Sequence, residues 1–144
     1  MDILHRVGIT ATPDRVYDAL TTLDGLAGWW TTDTTGDPDD TIRFRFGEVG
    51  GFDMKVLEHS AASRVEWAVV EGPPEWIGTT VRFDLVPEGE WTIVRFAHAG
   101  WREPVEFMGH CTTKWAFFLL GMKDGLEGGK ATPFPGELQI SSWG

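Results

Sequence analysis

Residues 91–126 read WTIVRFAHAGWREPVEFMGHCTTKWAFFLLGMKDGL, and the apolar period changes once within them. From Trp91 to His98, the residues Val94, Phe96 and His98 alternate onto one side, as in a half-buried strand. From Pro104 to Leu126, apolar residues recur at Met108, Cys111, Trp115, Phe118, Leu119, Met122 and Leu126, a helical stripe of about six turns. Pro104 suits the first turn of this helix and Gly128-Gly129 its end. Gly109 and Gly121 each cost about 1 kcal/mol relative to alanine, which reads either as close backbone approach to a sheet or as a kink. A strand that delivers the chain directly into one long amphipathic helix predicts an α+β fold, with the helix laid across the concave side of a curved sheet.

Upstream of this segment the signals are strands and turns. Ile3 to Thr10 reads as a first strand, with Ile3, His5, Val7 and Ile9 on one face. Thr12 as N-cap, Pro13 at the first helical position and Asp14 in the first turn then start a helix through Val16, Ala19, Leu20 and Leu23. Asp24-Gly25 interrupts it, and a second short helix carries Leu26 toward Trp29 and Trp30. Thr31 to Asp40, polar and rich in aspartate, is expected to be an exposed loop. Four further strands follow: Ile42–Phe46, Phe52–His59, Arg64–Val70 and Trp76–Val86. With Trp91–His98 they form an antiparallel meander of five, and Ile3–Thr10 joins as the sixth strand. Residues 1–129 are expected to form one domain and 130–144 a tail that is partly ordered at most.

The order of these elements resembles the helix-grip START-like (SRPBCC) superfamily. Within it the chain is similar to the branch related to the C-terminal domain of the Hsp90 ATPase activator Aha1. The resemblance spans essentially the whole chain. It is carried by Thr12-Pro13-Asp14-Arg15-Val16-Tyr17-Asp18-Ala19-Leu20, by Leu26-Ala27-Gly28-Trp29-Trp30, by Thr92 to Gly100, and by Leu126 to Lys130 with Pro133 nearby. It implies a six-stranded antiparallel curved sheet wrapped around a long C-terminal helix. It does not settle function, because related members bind lipids, hormones and polyketides, act as cyclases, or assist chaperones.

Eight tryptophans in 144 residues exceed what a small core needs, since each ring is hard to bury and each N–H wants a partner. A ligand cavity between sheet and helix is expected to be lined by Trp29, Trp30, Phe44, Phe46, Trp67, Phe83, Phe96, His98, Met108, Cys111 and Trp115. The bland alternative is that these rings interdigitate as a solid core. Trp91 alternates away from the cavity and Trp143 lies in the tail, so neither is expected to line it. Trp76 and Trp101 are expected only at the rim. His98 is the one candidate acid–base group, against the alternative of an imidazole satisfied by a backbone carbonyl or an indole. Cys111 lies on the apolar stripe and reads as a small core hydrophobe.

The net charge of −10 argues against nucleic acid and anionic lipid surfaces as partners. No apolar run approaches the roughly 18–20 residues that cross a bilayer, and a cytoplasmic location is the default. The single Cys111 makes no internal disulfide. The histidines at 5, 59, 98 and 110 lack metal-ligand spacing, and Asp37, Asp39 and Asp40 lack the calcium-loop pattern, so no metal or cofactor is expected. The expected function is binding of a hydrophobic small molecule, lipid-like or aromatic. A cyclase or dehydratase using the same cavity and a chaperone-associated role are the alternatives, and a homodimer stays open.

Overall fold

The computed structural model describes residues 1–144. The chain runs β1 (Ile3–Ile9), α1 (Pro13–Thr21), α2 (Leu23–Ala27), β2 (Asp33–Gly36) and β3 (Thr41–Arg45), then β4 (Gly51–Ser60), β5 (Arg64–Glu71), β6 (Thr80–Glu88), β7 (Trp91–Ala99) and α3 (Glu106–Leu126). All strands pair antiparallel in one seven-stranded sheet of order β1-β7-β6-β5-β4-β3-β2. This is the expected α+β helix-grip fold with one strand more than the sequence suggested.

The extra strand is β2, which lies in the segment expected to be an exposed loop. Asp33-Thr34-Thr35-Gly36 pairs with Ile42 to Arg45 of β3. Only Thr34 faces inward, donating its hydroxyl to the Thr31 carbonyl at 2.7 Å, while Thr31 Oγ1 donates to the Arg45 carbonyl at 2.7 Å. Hydrogen bonds rather than apolar alternation hold this edge, so no hydrophobic period announces it.

Local chemistry sets the helix ends. The Thr12 hydroxyl accepts from Arg15 N at 3.3 Å, and Pro13 begins α1 where its missing N–H has no partner to lose. Thr22 ends α1 and caps α2 by accepting from Gly25 N at 3.0 Å. A Cβ on Gly25 would lie 2.5 Å from the Asp18 carbonyl oxygen, so glycine lets the two helices join this tightly. The long helix starts at Glu106, two residues past Pro104, with Val105 as its N-cap. Neither Gly109 nor Gly121 approaches the sheet: Gly109 has nothing within 4 Å and Gly121 faces Ala131.

The concave face supplies the core. Trp67, Phe44, Phe83 and Phe96 are fully buried there, with Val65, Val81 and Val94 beside them. Each such side chain contributes roughly 1.5–3 kcal/mol by leaving water. α3 closes this face through Cys111, Trp115, Phe118, Leu119 and Met122. After α3 the chain returns along the β2 side, where Phe134 N donates to the Trp30 carbonyl at 2.8 Å and Thr32 N donates to the Phe134 carbonyl at 3.1 Å.

Candidate functional site

The aromatic residues divide into a solid stack and a cavity wall. Trp30 joins the two. Its ring lies parallel to Trp29 at 5.7 Å, tilted against Phe44 at 4.3 Å, and tilted against Trp115 at 4.9 Å. Behind it Trp67, Phe83 and Phe96 pack edge-to-face at 5.3 Å, the favourable arrangement for ring quadrupoles. Rings therefore fill the middle of the sheet–helix interface.

His98 belongs to this packed region. Trp115 Nε1 donates to His98 Nδ1 at 3.1 Å, which makes Nδ1 the acceptor and leaves the proton on Nε2. Nε2 then donates to Thr79 Oγ1 at 2.8 Å, and Thr79 Oγ1 donates to the Trp76 carbonyl. Burial pushes the imidazole pKa down to about 3, so it is neutral at ordinary pH. Both ring nitrogens are spoken for. The geometry matches the satisfied-imidazole alternative, with a threonine hydroxyl as second partner.

The cavity, about 840 Å³, lies off-centre, between the first half of α3, the Gly47–Gly51 turn, the end of β5, and the tail. Of the residues expected to line a hollow, Trp30, Phe46, Cys111 and Trp115 do so. Trp29, Phe44, Trp67, Phe83, Phe96 and His98 do not, because they are locked in the stack. Met108, half-buried on α3, is also off the wall.

Three tryptophans take positions other than those expected. Trp76 is buried, because residues 73–79 fold inward as a turn instead of opening a strand: Trp76 N donates to the Pro73 carbonyl at 2.9 Å and β6 begins only at Thr80. Its ring stacks on Phe52 at 4.0 Å and on Trp115 at 5.9 Å, and its Nε1 donates to Cys111 Sγ at 3.4 Å. Trp143 returns from the tail to the mouth, edge-on to Phe107 and His110. Trp101 is buried rather than at a rim, and its Nε1 has no hydrogen-bond partner.

The apolar wall is nearly all aromatic: Trp30, Phe46, Phe52, Trp76, Phe107, Trp115, Phe118, Phe134 and Trp143, with Val49 the one branched aliphatic side chain. Phe52, Phe107 and Phe134 had no signal in the sequence, since they come from a turn edge, a helix start and the tail. The polar groups sit at the mouth. Arg45 is held by Asp53 at 2.8 Å, and Lys114 donates to the Leu138 carbonyl at 3.3 Å with its ammonium 5.5 Å from the Phe118 ring centre. Burial lowers the Lys114 pKa, and burial followed by the Lys114 charge lowers that of His110. Cys111 is buried in apolar surroundings that push its thiol up to about 12, so it is no nucleophile at neutral pH. No three His, Cys, Asp or Glu residues are grouped to hold a metal ion, and no helix is long and apolar enough to cross a membrane.

The family model described as Activator of Hsp90 ATPase homolog 1-like protein matches residues 10–127. Among solved structures, the Aha1 dimer of Colwellia psychrerythraea is 46% identical, covers 91% of this chain and 99% of its own, and superposes with a TM-score of 0.84. Protein SSP2350 of Staphylococcus saprophyticus is 16% identical over 91% of this chain and 95% of its own, with a TM-score of 0.75. CalU16 of Micromonospora echinospora is 21% identical over 90% of this chain and 76% of its own, with a TM-score of 0.72. These last two share the fold alone. No curated protein matches the chain.

Proposed function

The chain belongs to the Activator of Hsp90 ATPase homolog 1-like family, and from that premise we propose that it binds a flat aromatic small molecule in the cavity beside α3. The observation that carries this reading is the composition of the wall. Rings from β4, the Trp76 turn, α3 and the tail face one space of about 840 Å³, where a lipid-chain tunnel would present leucine and isoleucine. Ring faces and edges select planar guests through quadrupole contacts as well as through area. Arg45 and Lys114 at the mouth give a guest's polar substituent somewhere to point.

Titration with polycyclic aromatics and, separately, with medium-chain fatty acids tests this reading. Trp30, Trp76 and Trp115 should report the aromatic guest by quenching or shifting their emission. Emission unchanged by every aromatic would overturn the proposal, and preference for the fatty acids would replace aromatic by lipid. The engaged nitrogens of His98 support binding over a cyclase or dehydratase reaction.

A chaperone-associated role is the second reading, supported by the 46% identity to the Colwellia Aha1 protein. Stimulation of the ATPase of an Hsp90-type chaperone by the purified chain would favour it. Because that relative was solved as a dimer, self-association of this chain belongs to the same reading.

A further inference from the structure

The outer face of the sheet, turned away from α3, gathers cations in a chain whose net charge is −10. Arg6 on β1, Arg95 on β7, Arg82 on β6 and Arg64 on β5 all project there, because strand alternation sends their neighbours Phe96, Phe83 and Val65 into the core. Register sets Arg6 opposite Arg95, Arg95 opposite Asp84, and Asp84 opposite Arg64. Asp84 is already engaged by Arg64 at 2.6 Å and Arg82 at 3.0 Å. Arg6 reaches Glu88 loosely, at 3.4 Å, with both side chains 63% exposed. Arg95 is exposed and takes part in none of the ion pairs. Like charges directly opposite on neighbouring strands cost stability; Glu88 offsets Arg6 only loosely and Asp84, opposite Arg95, is taken up by Arg64 and Arg82, so Arg95 keeps no ion-pair partner of its own.

We propose that this outer face docks an acidic segment of another protein, whose carboxylates seat on Arg95 and Arg6. The guanidinium fork matches carboxylate geometry in a bidentate manner, and Leu4, exposed on the same face two residues before Arg6, adds an apolar contact. A second copy docked about a two-fold axis through Arg95 does not fit, since it sets that guanidinium against itself. Continuous polyphosphate fits poorly as well, because Glu58 and Glu66 stand opposite one another on the same face and repel it. A short acidic segment seated over β1, β7 and β6 meets the arginines without reaching Glu58 and Glu66 on β4 and β5. The proposal concerns the face opposite the cavity and does not depend on a guest there.

Titration of the isotopically labelled full chain with a short glutamate-rich peptide carrying one leucine tests the docking. Amide shifts should map to β1, β6 and β7, weaken with added salt, and require about tenfold more peptide in Arg95→Glu. Arg95→Gln should leave the melting temperature nearly unchanged, because the repulsion from Arg6 that it relieves offsets the attraction to Asp84 that it removes. Absence of shifts at low ionic strength, shifts mapping elsewhere, or an Arg95→Glu variant that binds normally would each overturn the proposal. So would tighter binding to duplex DNA or phosphatidylserine vesicles than to the peptide. A lower melting temperature in Arg95→Gln would assign Arg95 a structural role and overturn it equally.

Discussion

Trp115 Nε1 on α3 donates to His98 Nδ1 on β7 at 3.1 Å, joining the long helix to the sheet through a buried neutral imidazole. Three groups follow in series, since His98 Nε2–H reaches the Thr79 hydroxyl and that hydroxyl reaches the Trp76 carbonyl. The chain of bonds thus ties the Trp76 backbone to the sheet, beside the stacking of its ring on Phe52 and Trp115.

Thr79→Val keeps the shape of this side chain and removes its hydroxyl, stranding the His98 N–H away from water, while the Trp76 carbonyl keeps the Thr79 backbone N–H at 3.0 Å. We expect a loss of about 1–3 kcal/mol in denaturant unfolding, together with weakened aromatic binding as Trp76 loosens. Thr79→Ser, which retains the hydroxyl, should recover most of both. A valine variant as stable as the parent would show that the series carries no strain-sensitive load.

Acid should destabilise the protein through His98. An unfolded chain takes a proton on this imidazole near its ordinary value of 6.5, whereas the folded one holds it off until about 3. Stability contributed by the neutral form is therefore complete above 6.5 and is lost as pH falls toward 3, by up to about 1.4 kcal/mol per pH unit. Glu127, held down to about 2 by the Lys123 hydrogen bond and the Thr10 N–H, is also lost in acid. The difference between the parent and His98→Gln isolates the imidazole. The variant's unfolding free energy should fall less steeply between pH 6 and pH 4, and parallel curves would refute the assignment.

Gly51 opens β4 where the strand presses against β3. A Cβ there would lie 1.8 Å from the Phe44 carbonyl oxygen, a backbone atom that cannot move aside cheaply. Gly51→Ala should cost about 2 kcal/mol or more and displace Phe52, whose ring carries Trp76. Calorimetry and aromatic affinity should both register it. An alanine variant with unchanged melting temperature and affinity would mean that the β3–β4 junction relaxes freely.

Residues 130–144 lie beyond the family match and hold to the rest mainly by the Phe134 backbone bonds, the Lys114–Leu138 bond and a 2.9 Å contact of Ser141 Oγ with His110 Nδ1. Removing them after Gly129 should leave a cooperatively folding domain that has lost the Phe134 and Trp143 walls. Aromatic affinity should drop by about tenfold or more while the unfolding transition stays single. A truncated chain that fails to fold would make the tail part of the domain.

The period change at Gly100 made the sheet-then-helix architecture legible, as did the Thr12-Pro13 helix start, because both depend on local chemistry that any neighbours would preserve. Trp76 lies deeper than its place after a Gly-Pro-Pro turn suggests. Gly72-Pro73-Pro74 announces a turn, but only tertiary stacking on Phe52 and Trp115 decides that the turn folds inward and extends to Thr79. The cavity moved off-centre for a related reason. Alternation identified Phe83, Phe96 and Trp67 as inward, yet no sequence rule distinguishes a ring that fills space from one that borders it. Trp143 and Phe134 reach the mouth through backbone bonds in a segment without periodicity, so nothing in their spacing foretold it.

The edges of the sheet carry one more consequence. On one side β2 is only four residues, Asp-Thr-Thr-Gly, too short and too polar to template a further strand. On the other, the Gly8 carbonyl of β1 is occupied by the Lys123 ammonium at 2.8 Å. A further strand thus has little to pair with at the β2 rim, and at the β1 rim it would have to displace the Lys123 contact that α3 makes with Gly8.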